Sequence, residues 1–134
     1  MVAKIKTLQI IHFALIAGVT SAYFILGDLF NIAIPKLEGE NLYYIFIPAI
    51  AVLTSNFLYN QIILKIDKKN TNEAKMIKYQ SASIIRWGIL EAGAFLILIL
   101  KPELILFGLL LLIYLLLVRP TKTKIESELN IRIK

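Results

Sequence analysis

Residues 79–100 read YQSASIIRWGILEAGAFLILIL, an almost continuous apolar segment with one acidic residue, Glu91, near its middle. As an α-helix this segment would extend about 33 Å, at 1.5 Å per residue, which is enough to cross the hydrocarbon layer of a membrane. It is too long for a strand and lacks the two-residue alternation of a membrane β-barrel. The segment therefore predicts a membrane-spanning helix.

Three further apolar segments surround it, at residues 7–27, 42–64 and 103–118. The first two are long enough to span, whereas the last has 16 residues and requires flanking residues or local thinning of the bilayer. Apolar residues make up 58% of the 134-residue chain, above the value of about 45–50% for soluble domains. The sequence predicts one all-α domain, residues 1–134, folded as a transmembrane four-helix bundle in contact with the lipid bilayer.

The charged residues between these segments predict the orientation of the bundle. Lysines outnumber acids in residues 65–78, and basic residues outnumber acids in the tail, residues 119–134. The connection between the first two spans is acidic instead. Because positive residues favour the cytoplasmic side, we expect both termini and the 65–78 connection in the cytoplasm, with the tail resting on the inner leaflet. The net charge of +6 fits this orientation and lipid contact, so we expect no nucleic-acid partner.

The residue inventory excludes several kinds of chemistry. The chain has no cysteine and one histidine, which excludes thiolate chemistry and multi-histidine metal sites. Nucleotide-binding loops, nucleophile motifs and paired carboxylates are also missing from the sequence. We therefore expect neither enzymatic activity nor a metal or cofactor.

The first and third spans resemble each other in sequence. Residues 10–18, IIHFALIAG, align with residues 84–92, IIRWGILEA. The alignment pairs His12 with Arg86, Phe13 with Trp87, Ala14 with Gly88, and Ala17 with Glu91. This pattern suggests two helical hairpins of the same orientation, related by an axis along the membrane normal. The alternative is chance alignment of apolar residues.

Glu91 is the principal candidate for a functional residue. A charged acid at the middle of a span costs about 2.5–3.5 kcal/mol, so such residues are protonated, paired or directed at a polar cavity. The same helical face carries Gln80, Ser83, Trp87 and Ala94. A face of small and polar residues is expected to point into the bundle. Glu91 is therefore a candidate proton- or ion-binding acid, and a neutral hydrogen bond that fixes helix register is the alternative.

A second candidate is a polar tier in the cytoplasmic half of the bundle, formed by His12, Asn56, Asn60 and Arg86. Hydrogen bonds between membrane helices contribute only about 0.6 kcal/mol each, so such a tier can be purely structural. We favour a structural role for His12 over a role as a ligand. Arg86 is expected to extend to the inner headgroups or to pair with an acid.

Small residues recur at four-residue spacing on the first and third spans: Ala14, Gly18, Ala22, Gly88 and Ala92. This spacing lets helices approach closely, either within the chain or between copies. It is common in membrane helices, so it specifies no partner.

Residues 86–95, RWGILEAGAF, are similar to the acid-bearing helix of the proteolipid subunits of rotary ATPases, in which a membrane carboxylate lies among alanines and glycines. Ala17 stands where a duplicated proteolipid would carry a second acid. The whole chain, including the RPTK sequence at residues 119–122, resembles small four-span bacterial membrane proteins. The first resemblance implies ion binding by Glu91, and the second implies location in the inner membrane.

Two functions remain open from the sequence. The first is a non-catalytic bundle that serves as an accessory or structural subunit of a larger membrane complex, or that forms a homo-oligomer. The second is a small proton- or cation-coupled transporter, or a proteolipid-like subunit, that uses Glu91. The first hypothesis is favoured because the loops outside the spans are short and no catalytic motif is present.

Overall fold

The structure, a computed structural model, describes residues 1–133 and contains only helices and connecting segments within that range. The α-helices are α1 (Val2–Leu26), α2 (Asn41–Tyr44), α3 (Phe46–Leu64), α4 (Asn72–Leu100), α5 (Ile105–Leu117) and α6 (Lys122–Leu129). Short 3-10 turns at Leu29–Asn31 and Pro102–Leu104 lie before α2 and α5. The prediction of an all-α helical bundle is confirmed. Lys134, at the end of the predicted tail, lies outside the described residues.

Threonine side chains cap the N-termini of two helices. The Thr71 hydroxyl accepts a hydrogen bond from the Ala74 amide at 3.2 Å, which satisfies one of the free N–H groups at the start of α4. This cap explains why the helix begins before the apolar segment predicted from residue 79. Thr121 caps α6 in the same way, through the Lys124 amide at 3.3 Å.

Three helical segments are long and apolar enough to cross a membrane, judged by length and composition: Val2–Leu26, Asn41–Leu64 and Asn72–Leu100. The fourth predicted span corresponds to the Pro102–Leu104 turn followed by α5. This segment passes the same test only together with α6, from which it is bent by 76°. The structure therefore supports three to four spans and suggests a membrane protein.

The helix α4 is the centre of the bundle, because it contacts α1, α3, α5 and α6. The helix α1 packs on α4 and α5, while α3 packs mainly on α4. Glycine permits the close approach of α3 and α4, since a Cβ atom at Gly93 would lie 2.9 Å from the Ala51 Cβ. The packing of the bundle is thus organised around the helix that carries Glu91.

The packing gives the proposed sequence repeat no support. Of the matched aromatic pair, Trp87 is fully buried whereas Phe13 is 72% exposed. The second hairpin, α4 with α5, is closely packed, but α1 packs on this hairpin and not chiefly on its own sequence partner, α3. The two halves therefore occupy different environments, and duplication stays a prediction.

The two ends of the bundle differ in charge. The basic end is formed by the start of α1, the 65–78 connection and residues 119–133, and Gln9 there donates to the Pro120 carbonyl at 3.1 Å. The acidic end is formed by residues 27–41 and 101–104. This end holds four acids and two lysines, and one of the lysines, Lys101, lies 3.3 Å from Glu40 in a salt bridge. The other three acids outnumber Lys36, so this end keeps a net negative charge.

The tail packs against the bundle, a contact that its sequence did not predict, and its expected position on the inner leaflet stays a prediction. After α5 the chain turns back, and α6 contacts α4. The apolar residues of the tail are buried in the protein: Ile125, Leu129, Ile131 and Ile133. Their burial makes the tail a cap on the basic end of the bundle.

Candidate functional site

Glu91 lies on α4 at the edge of its buried face. Ser83, Trp87 and Ala94 on the same side are buried, as expected for a face directed into the bundle. Glu91 itself is only partly buried. The carboxyl group is therefore placed between the core and the outer surface of the helix.

The Glu91 carboxylate has no hydrogen-bond or salt-bridge partner among residues 1–133. It borders an exposed strip of α4 on which Gly88 and Ala92 lie. A Cβ atom added at Gly88 would have no neighbour within 4 Å, so the space outside this position is open. We call Gly88, Glu91 and Ala92 the Glu91 face.

His12 is buried between α1, α4 and α5. Its Nε2 donates to the Leu115 carbonyl at 2.7 Å, and its ring lies 4.8 Å from the ring of Trp87, measured between centroids. The Trp87 indole N–H donates to the Val118 carbonyl at 3.3 Å. These carbonyls lie at the end of α5, where backbone acceptors lack partners within the helix. These contacts fit the structural role expected for His12, which stays a prediction.

The predicted polar tier contains a second contact between helices. Asn56 on α3 and Tyr114 on α5 exchange hydrogen bonds at 2.6 and 2.8 Å between the amide and the phenol oxygen. Asn60, which was expected to join this tier, is exposed and lies outside it. Asn56 therefore links two helices while Asn60, one turn further along, does not.

Arg86 takes a position different from either one predicted. Its guanidinium carbon lies 3.7 Å from the centre of the Tyr59 ring, and its Nε is buried with no hydrogen-bond partner among the described residues. The Tyr59 hydroxyl donates to Glu128 of α6. Arg86 thus packs inward in a cation–π contact and forms no salt bridge within residues 1–133.

Sequence reasoning missed the residues that surround Arg86. Tyr59 and Tyr79 pack edge to face with 6.3 Å between ring centres, and Ser83 is fully buried beside them on α4. The sequence signal for this contact was the presence of tyrosines on the segments that neighbour Arg86. Tyrosine rings attract cations, and tyrosine hydroxyls require hydrogen-bond partners. The structure brings His12 and Arg86 to the same end of α4, but Glu91 lies a further five residues along that helix.

Comparison of the chain with models of protein families, with curated proteins and with solved structures finds no match. Within residues 1–133 no group of three or more histidine, cysteine or acidic side chains is arranged to hold a metal ion.

Proposed function

We propose that the chain is a non-catalytic, multi-pass protein of the bacterial inner membrane that serves as a subunit of a larger membrane assembly. It contacts this assembly through the Glu91 face of α4. The long apolar helices support membrane placement, and so do large apolar side chains exposed on α1, such as Phe13 and Ile25. The basic end lies in the cytoplasm in this proposal, and both termini lie with it.

The unpartnered carboxyl of Glu91 is the observation that carries the proposal. Lipid chains offer no hydrogen bond, so even a neutral carboxyl is costly at this depth, and a charged one costs about 2.5–3.5 kcal/mol. No side chain of residues 1–133 satisfies the group. A polar group from another membrane helix, laid against the Glu91 face, removes this cost.

The shape of the Glu91 face supports the same proposal. Gly88 has open space where a side chain would lie, and Ala92 adds only a methyl group to the exposed surface. Small residues let the backbones of two membrane helices approach closely, which strengthens dispersion contacts. The second helix belongs either to another copy of the chain or to a different protein.

Association in membranes tests this proposal. We expect Gly88→Leu to abolish chemical crosslinking of the full-length chain to its neighbour, because the new side chain fills the space that the second helix occupies. The matched control is Gly18→Leu on α1, since a Cβ atom there also meets open space. The mass of the crosslinked species distinguishes a second copy from a different protein.

Two results would contradict the assignment. One is crosslinking that persists in both Gly88→Leu and Glu91→Leu. The other is equal loss of crosslinking in Gly88→Leu and Gly18→Leu, which would show that the effect is not specific to α4. If Glu91 acts through a hydrogen bond, Glu91→Gln retains crosslinking because the amide can replace the carboxyl.

The same unpartnered carboxyl also favours a second candidate, a proton- or cation-coupled transporter or proteolipid-like subunit. In that case Glu91→Gln removes the titratable group and abolishes ion flux in vesicles, while crosslinking is unchanged. Flux that continues in Glu91→Gln would exclude the second candidate. Glu91 does not line the cavity between α1 and α5 or the cavity between α3 and α5, so subunit association is the better supported of the two.

A further inference from the structure

A cavity of about 390 Å³ lies at the basic end, between α1 and the end of α5. Its lining includes Gln9, His12, Phe13, Ile16, Leu116 and Arg119. It is a separate feature from the Glu91 face, because its walls come from α1 and α5 and not from α4. Its occupancy can therefore be tested independently of subunit association.

The cavity is polar at the end near the basic end of the bundle, which we call its mouth, and apolar at the far end, near Ile16. Gln9 and Arg119 lie at the basic end, where Gln9 is held by its hydrogen bond to the Pro120 carbonyl. Ile16 lies seven residues further along α1, about 10 Å deeper at 1.5 Å per residue. A ligand that fills this space needs a polar group at one end and a hydrocarbon part at the other.

Positive charge surrounds the mouth of the cavity. No carboxylate of residues 1–133 forms a salt bridge with Arg119. The Lys124 ammonium group lies beside it, where it donates to the Leu117 carbonyl at 2.8 Å. A neighbouring cavity of about 360 Å³ shares Gln9 and adds Lys6 on the other side. Cations on both sides of Gln9 favour an anionic group there.

We propose that this cavity binds one anionic phospholipid. A phosphate group lies against Arg119, whose planar guanidinium can donate two parallel hydrogen bonds to phosphate oxygens. An acyl chain lies along Ile16 and Leu116, where hydrocarbon replaces contacts that the cavity leaves unfilled. Basic pockets between membrane helices on the cytoplasmic side suit such headgroups. The inference rests on the membrane placement proposed above but not on the Glu91 face.

Native mass spectrometry of the full chain in mild detergent tests this assignment, with phosphatidylglycerol added as the probe. We expect one tightly bound lipid on the unmodified chain. Arg119→Gln should reduce its affinity at least about tenfold, the effect of losing one charge-assisted hydrogen bond. The matched control is Arg132→Gln, which removes an exposed cation from the same end but outside the cavity, and should leave the affinity unchanged.

A second variant fills the cavity without changing its charge. Ile16→Trp should displace the lipid while the helical circular dichroism signal and the oligomeric state of the protein stay unchanged. This variant keeps the test valid if Arg119→Gln fails to fold. Retention of the lipid by a folded Ile16→Trp protein would overturn the assignment.

Two further probes, phosphatidylcholine and inorganic phosphate, show whether the site recognises an anionic lipid or phosphate alone. Phosphatidylcholine should bind at least about tenfold more weakly than phosphatidylglycerol, because its headgroup is zwitterionic. Inorganic phosphate alone should not bind, since it cannot use the apolar part of the cavity. Equal binding of the two lipids, tight binding of inorganic phosphate, or equal losses in Arg119→Gln and Arg132→Gln would each contradict the proposal.

Discussion

His12 supplies a hydrogen bond to a carbonyl at the C-terminal end of α5 that has no partner within the helix. The helix α5 stops at Leu117, and Pro120, which has no backbone N–H, prevents its continuation. The Leu115 carbonyl instead accepts its hydrogen bond from His12, which comes from the opposite end of the sequence. One side chain thereby joins the first helix to the last apolar helix.

Replacement of His12 by Phe should therefore destabilise the fold. Phe keeps a ring against Trp87 but leaves the Leu115 carbonyl buried without a partner, which costs about 1–3 kcal/mol. Thermal unfolding in mild detergent, followed by circular dichroism, measures the effect as a lower Tm. Phe13→Ala is the control, because Phe13 is 72% exposed and its loss should change Tm little in detergent. A Tm of Phe13→Ala as low as that of His12→Phe would contradict the prediction.

Asn56 and Asn60 show that the contacts of a single residue between helices could not be predicted from the sequence. Both asparagines were predicted on one face of the second span, and four-residue spacing does place them near one another. Only Asn56 meets Tyr114, whereas Asn60 is exposed. The difference depends on where α5 ends beside α3, and this register between helices is not encoded in the periodicity of either segment.

Among the elements, the long helices were predictable and the tail was not. Apolar runs of more than about 20 residues permit little besides a membrane helix, so α1, α3 and α4 followed from length and composition. The short α6 has apolar residues mixed with charge, a pattern that suits an inner-leaflet surface and a protein surface equally. The position of α6 depends on contacts with residues far away in the sequence, and the Tyr59–Glu128 hydrogen bond is one of them.

Tyr59→Phe should loosen α6 from the basic end. The substitution removes the hydroxyl that donates to Glu128 but keeps the ring against Arg86. Amide hydrogen exchange in residues 124–129 should accelerate about tenfold or more, while exchange in α4 is unchanged. Tyr43→Phe serves as the control, because Tyr43 is 76% exposed at the acidic end. Unchanged exchange in Tyr59→Phe would show that apolar burial alone holds α6.

For the whole molecule, the separation of charge between the two ends is the property with the widest effect. It underlies the proposed orientation, and the structure adds that Lys101 at the acidic end is paired with Glu40. The sequence predicted the three longest helices because hydropathy is a local signal, whereas their direction across the membrane stays a prediction. It could not predict that α1 packs against α5, since contacts between distant apolar helices depend on shape.

Single cysteines test the orientation directly, because the natural chain has none. In intact cells a membrane-impermeant thiol reagent should label Glu38→Cys in the acidic connection and leave Lys69→Cys in the basic connection unlabelled. Both positions are exposed, so burial in the protein does not protect either one. Permeabilised cells provide the control, since both cysteines should then react. Labelling of Lys69→Cys alone in intact cells would show that the topology is opposite to the proposed one.

The position of α6 has a consequence for biosynthesis. Residues 122–133 follow α1 to α5 in the chain, so in the proposed membrane placement they leave the ribosome after those helices have been delivered to the translocon. Until that moment Tyr59 and Arg86 lack the cover that α6 provides. Closure of the basic end is therefore a late step of assembly. In the proposed orientation, a nascent chain arrested before residue 122 would present an open, positively charged surface to the cytoplasm.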